Sequence, residues 1–378
     1  MNSYFNVQRL AHLMIILFLT VYILIVGKSL FVPVAFSIFF AYLLLPISRF
    51  YEKKLFRIPA VLLAFLTVLV PLVVLVALFG FQFVEVFQDL PALGEQLQAG
   101  LDSGLGWMHD KISVIPQSSA EWTRQNAKDI SWAPFSFLQA GITSSSAFLV
   151  NTGLTFIYTF LFLLYRKSFL NFLLIQFEPG KREQSSKVIR KIQQVIQKYL
   201  QGMGMVILIL FVLNSTALWL IGIQYSVFWG GLAALLAVIP YVGTFMGGFL
   251  PFLYAMGTTD TWWQPIAVVA LFVVIQGLEG NIISPNVIGS SMKINPFVSI
   301  LSLILGGAIW GVPGLILAFP MIGIIRIVFM EIDWLAPVGV LLGSDIYNNE
   351  QVFLEKYDED KFRIKTFLKG RQNKTNKE

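Results

Sequence analysis

Between Tyr199 and Met330 the chain carries only four charges, Asp260, Glu279, Lys293 and Arg326. A soluble fold needs charged residues to cover its surface, at about a quarter of the sequence. A stretch this long with so few has to meet hydrocarbon instead. The rest of the chain agrees: 56% of residues are hydrophobic and 13% charged. Apolar runs recur at the length a membrane helix requires, about 20 residues. The expected fold class is therefore all-α, a polytopic integral membrane protein with about eight hydrophobic segments.

Taken in order, residues 1–84 read as N-terminal transmembrane helices: Leu10 to Val26, Leu30 to about Ile47, and Pro59 to about Phe83 with a kink at Pro71. Gly27-Lys28-Ser29 resembles the end of a phosphate-binding loop, but the glycine required five residues earlier is Tyr22, so it is a helix connection. Residues 85–140 form an insertion. Its Glu85 to Gln139 stretch carries seven acidic and three basic residues, with leucines at helical spacing from Leu90 to Leu105. Residues 141–165 make a further span. Residues 166–202 form a basic segment whose face of Val188, Ile192, Val195 and Tyr199 predicts a helix lying on the membrane surface.

The distribution of Lys and Arg orients the whole. Arg49 to Arg57 and Arg166 to Lys198 face the cytoplasm, the acidic insertion faces outward, and the N-terminus and C-terminus are both expected inside. The basic residues sit in short blocks beside apolar spans, which excludes nucleic acid as a partner. The chain has no cysteine and two isolated histidines, His12 and His109, so no metal site or cofactor is expected. No nucleophile and base pair lies in the spans, which argues against an enzyme.

Residues 203–333 form the expected transport core, and 334–378 a polar tail. Two apolar segments in the core, 228–256 and 296–330, are interrupted by proline and glycine in the manner of broken or re-entrant helices. Their expected hinges are Pro240, Gly243 and Gly247 in the first, and Gly307, Gly311, Pro313 and Gly314 in the second. Gly243 with Gly247 and Gly307 with Gly311 also have the spacing that lets helix backbones approach. Aligned at Phe228 with Phe297 and Pro251 with Pro320, the two segments show a faint internal similarity.

Between them lies QGLEGNIISPNVIGSSMKINP, residues 276–296. An acid inside a membrane segment marks a transport site by default. Glu279 is either a protonatable or cation-binding group, or a helix-end acid that snorkels to the cytoplasmic interface or pairs with Lys293 or Arg326. Gln276, Asn281, Ser284, Pro285, Asn286 and Gly289 complete the candidate pathway, the last five as a non-helical run because Pro285 restricts Ser284.

PYVG at 240–243, LEGNIISPNVIGSSMKINPF at 278–297 and GGAIWGVPGLILAFP at 306–320 resemble the autoinducer-2 exporter family, also called PerM-type permeases. The resemblance implies an inner-membrane transporter exporting an autoinducer-2-like signalling molecule, or a sodium-proton antiporter. On this chain the family pattern falls on Pro240, Gly243, Glu279, Asn281, Pro285, Gly289, Pro296, Gly311, Gly314 and Pro320. The leading expectation is export of a small polar solute coupled to protons or sodium through Glu279. A non-transporting membrane scaffold is the rival from another class. The expected partners are the lipid bilayer, the solute, the coupling ion and a second copy of the chain.

Overall fold

The computed structural model describes residues 7–74, 77, 79, 80, 82, 85, 86, 145–239, 242–259, 261–287, 294–344, 352–359 and 362. The insertion beyond residue 86, Pro240, Gly289 and Lys293 fall outside them. Among the described residues every regular element is helical, and a single bridge joins Ile294 to Gly343.

Among the described residues, six helices are long and apolar enough to cross a membrane: Lys28–Glu52, Arg57–Val74, Leu149–Ile175, Pro179–Ile221, Trp263–Val287 and Val312–Met330. Large apolar side chains stand exposed along them, as lipid-facing residues do, Phe40, Val73, Trp219 and Val273 among them. The chain is a polytopic helical membrane protein. It divides into two compact units. Met1–Leu62, Asn151–Gln201 and Gly289–Glu378 form unit 1; Leu63–Val150 and Gly202–Ile288 form unit 2.

Unit 1 begins with α1 (Val7–Val26) and α2 (Lys28–Glu52), joined at Gly27, whose carbonyl accepts from the amides of Leu30 and Phe31 at 2.9 Å. α2 runs through Pro33 and Pro46 to Glu52, past the predicted end at Ile47. Proline inside a membrane helix is tolerated because neighbouring groups satisfy the freed carbonyl. After α3 (Arg57–Val74), α4 (Ser145–Ile175) likewise continues ten residues beyond the predicted Tyr165. The basic pair Arg166 and Lys167 therefore lies within a helix.

The largest difference from expectation is α5, a single helix of 40 residues from Arg182 to Ile221. At about 1.5 Å per residue it extends about 60 Å. The change of composition near residue 202 is a change of surroundings, not a helix end. Of the stripe expected to face the membrane surface, Tyr199 is buried and Val188, Ile192 and Val195 are half-buried. Ile196 and Tyr199 are buried, and Ile192 and Ile196 pack in one cluster with Phe39 of α2 and Leu317. Gln197 donates to the Tyr42 carbonyl at 3.0 Å. A basic amphipathic helix can satisfy its apolar face against protein as well as lipid, and the sequence pattern is the same for both.

Unit 1 also holds the helical hairpin α10 (Pro296–Trp310) and α11 (Val312–Met330). Asn295 caps α10 by accepting from the Phe297 amide at 2.9 Å. The chain reverses at Gly311, where φ is 65° and ψ is −136°, a conformation essentially reserved for glycine. The two arms close on each other at Gly306 and Gly314, where a Cβ on either would overlap the other's carbonyl group. The Trp310 indole donates to the Leu24 carbonyl at 3.0 Å.

Unit 2 is built on the apolar half of α5, the hairpin α6 (Ser226–Leu236) and α7 (Val242–Thr258), and α8 (Trp263–Leu278). Its core holds Leu218, Trp229, Leu250, Tyr254 and Val268, each no more than 2% exposed. The Trp229 ring sits 5.0 Å from Phe228 and 5.1 Å from Tyr254. α6 lies directly on α5 because Gly230 leaves room for Ser215. α7 lies directly on α6 because Gly243 abuts the Leu236 carbonyl and Gly247 the Ala233 backbone. Small residues convert van der Waals contact into helix association where lipid removes the hydrophobic drive.

Candidate functional site

The α8 helix does not stop where glycine, asparagine and proline predict a loop. It passes through a π-helical turn at Glu279–Ile283 and continues as α9 (Ser284–Val287). The Ser284 amide donates to the Glu279 carbonyl, five residues back, and Ser284 keeps helical angles of −60° and −45°. The expected non-helical run of Asn281, Ser284, Pro285 and Asn286 is thus a correction. The physical reason is that a widened turn just before Pro285 relieves the clash between its ring and the preceding carbonyls, so the helix survives the proline.

This changes what each polar residue can do. Asn281 spends its amide on its own helix, donating to the Gly277 carbonyl at 2.9 Å, and it is exposed. Pro285 and Asn286 are exposed as well. Glu279 and Gln276 instead line a cleft with Asn214 of α5, Ala233 of α6 and Thr244 and Gly247 of α7. Of the sequence-predicted residues, the fold therefore brings Gln276, Glu279 and Gly247 together. Asn281, Ser284, Pro285 and Asn286 do not line the cleft, and Gly243 lies buried at the α6 and α7 contact.

Sequence reasoning missed two polar residues of the cleft, Asn214 and Thr244. Asn214 is 3% exposed and Ser215 8%, and among the described residues neither the Asn214 Oδ1 nor the Ser215 Oγ has a hydrogen-bond partner. The buried Trp229 indole nitrogen is unpartnered in the same way. An orphaned buried polar atom costs about 1–3 kcal/mol, so its retention calls for an explanation. The only sequence signal was the run Asn214-Ser215-Thr216 within an otherwise apolar span.

Among the described residues Glu279 makes no ion pair. Arg326, one partner considered for it, is engaged within unit 1, where its Nε donates to the Gly339 carbonyl at 3.3 Å. Regular α8 geometry sets this half-buried carboxylate on one helix face with Gln276, three residues back, toward the other polar groups, and the π turn, a feature that recurs at functional sites, begins at Glu279 itself. The cleft measures about 10 Å³, room for a water-sized guest, so its carboxylate, two amides and threonine hydroxyl can surround a water or a small cation with oxygens, and a larger polar solute requires the cleft to widen. Among the described residues no group of three His, Asp or Glu converges to hold a metal.

Comparison with known proteins decides the class. A family model described as AI-2E family transporter matches residues 13–334. The chain belongs to this transporter family. YrrI of Bacillus subtilis, which carries a transport-protein designation, is 27% identical over 81% of this chain and 88% of its own. YhhT of Escherichia coli K12, similarly designated, is 22% identical over 84% of this chain and 89% of its own. PerM of the same organism, designated a permease, is 25% identical over 40% of this chain and 42% of its own. The protein is a membrane transporter of the AI-2E type, and the polar cleft of unit 2 lies within the matched region.

Proposed function

We propose that the protein is a secondary transporter that exports a small polar solute of the autoinducer-2 kind across the cytoplasmic membrane, and that it catalyses no chemical conversion. Both termini and the basic segments around Arg49 and Arg166 face the cytoplasm in this reading. The observation that carries it is the half-buried Glu279 carboxylate, at the start of a π-helical turn and lining a cleft with Gln276, Asn214 and Thr244. Intramembrane carboxylates in such surroundings mark ion and substrate pathways. The broken hairpin α6 and α7 forms one wall of the cleft, as discontinuous helices do at transporter binding sites. No nucleotide-binding loop occurs in the sequence, so the driving force is an ion gradient or the gradient of the solute.

A second reading, sodium-proton antiport, draws on the same carboxylate, which among the described residues has no cationic partner. The test is a panel of polar solutes, polyhydroxylated ones included, assayed for flux in proteoliposomes, with sodium-induced fluorescence dequenching run in parallel. Flux of a panel member supports solute export. Dequenching by sodium with no solute flux replaces it with antiport. Neither signal, in protein that retains its fold, leaves the scaffold reading.

A further inference from the structure

Unit 1 contains a cavity of about 580 Å³ that the transport site does not use. It lies between α2, α4 and the basic half of α5. One part of its lining is cationic, with Arg49, Arg166 and Lys167, and another is apolar, with Phe162, Phe169 and Leu173. The Phe162 and Phe169 rings pack at 5.3 Å between centroids.

The cations are not equivalent. Arg166 grips Glu52 with both terminal nitrogens, one bond measuring 2.8 Å, and Ser48 donates to the same carboxylate at 2.9 Å. Its charge is spent. Arg49 and Lys167 are exposed, and among the described residues neither pairs with a carboxylate. The cavity therefore offers two uncompensated cations beside an aromatic and leucine wall. A soluble anion would satisfy the cations and leave the wall bare. A neutral lipid would cover the wall and leave the cations without counter-charge. A molecule that does both carries a phosphate and a hydrocarbon chain.

We propose that this cavity is a binding site for one anionic phospholipid, its phosphate held between Arg49 and Lys167 and the upper part of an acyl chain laid against Phe162, Phe169 and Leu173. Basic pockets between membrane helices recognise anionic headgroups in this way, and the volume falls within the range of about 300–1,000 Å³ typical of ligand sites. The bound lipid screens Arg49 from Lys167 and covers the junction of α2 with α4, so it acts as a structural ligand. The proposal stands independently of the transported solute.

The test uses the full-length protein purified in a neutral detergent. Native mass spectrometry reads lipid retained from mixtures of phosphatidylglycerol and phosphatidylcholine, and a photoactivatable phosphatidylglycerol is mapped by peptide analysis. The wild type retains phosphatidylglycerol in preference, with crosslinks in segments 38–49 and 162–173. Retention falls by about tenfold or more in the Arg49→Ala, Lys167→Ala double variant. It persists in Arg49→Lys, Lys167→Arg and in Lys187→Ala, whose lysine pairs with Glu183 on the exposed face of α5. Unchanged retention in the double alanine variant overturns the site. So does displacement of the lipid by millimolar inorganic phosphate, which would make the site one for a soluble anion. If the double variant does not fold, the wild-type crosslinks decide: label confined to other segments overturns the proposal.

Discussion

The hairpins α6–α7 and α10–α11 both reverse an apolar helix within residues 226–258 and 296–330, fewer than the roughly 40 that two full crossings need. They do so by different means. In the first, the arms are fixed by side-chain absence: Gly243 and Gly247 both lie on α7 and press against Leu236 and Ala233. In the second, the reversal is concentrated in one dihedral pair at Gly311, and each arm supplies one glycine, Gly306 and Gly314, to the contact. The register that aligns Phe228 with Phe297 and Pro251 with Pro320 sets Val312 and Ile316 opposite Gly243 and Gly247. What the two segments share is apolar length with a break in it, and the packing solution is particular to each. Only the first hairpin lines the polar cleft, through Ala233, Thr244 and Gly247.

This comparison can be broken at its contacts. Gly243→Ala and Gly314→Ala each put a methyl group into a backbone carbonyl that cannot move without its helix. Each is expected to destabilise the protein by on the order of 3 kcal/mol or more, with thermal unfolding in detergent as the measurement. Gly204→Ala on α5, where a Cβ meets open space, is the control and should leave stability unchanged or improved. Equal melting of all three would mean that the close approaches do not hold the hairpins.

Gly311→Ala separates conformation from contact. A Cβ there meets nothing within 4 Å, so any loss arises from the positive φ alone. The expected loss is about 1–3 kcal/mol. Gly311→Asn should not restore it, since a ψ of −136° lies outside the left-handed helical region that asparagine tolerates. A neutral Gly311→Ala would contradict the single-residue turn.

Function and stability should part at Asn214. Asn214→Leu removes a buried, unpartnered oxygen from the α5 and α6 interface and is expected to be neutral or stabilising by about 1 kcal/mol. Flux should nonetheless fall, because the cleft loses a polar group opposite Glu279. A variant that melts lower and transports normally would make Asn214 structural. The smallest effect is expected at Asn281→Ala: its amide serves its own exposed helix, so melting should shift by less than about 0.5 kcal/mol with flux retained. Loss of flux there would return the site to the wider stretch expected from sequence.

The membrane class, the broken segments and the acid at Glu279 were legible because each is a matter of composition: apolar length, helix breakers, and a charge where charge is costly. The helix through Ser284 and Pro285 was not legible, since a π turn changes hydrogen-bond register without any signature residue. The continuity of α5 was hidden because positive charge reports the membrane edge and not a helix end. Asn214 escaped notice because the cleft it lines is assembled from four helices only in the folded chain, and Ser215 because Gly230 is its neighbour only there.

The most direct measurement of the central claim is solute flux in proteoliposomes with wild type and Glu279→Gln, each with and without an imposed pH gradient. Glutamine keeps the shape and hydrogen-bonding capacity of the side chain while removing its charge. The account predicts that Glu279→Gln melts like the wild type but loses most of its flux and all response to the gradient. Unchanged flux with an unchanged gradient response would contradict it and remove Glu279 from the mechanism.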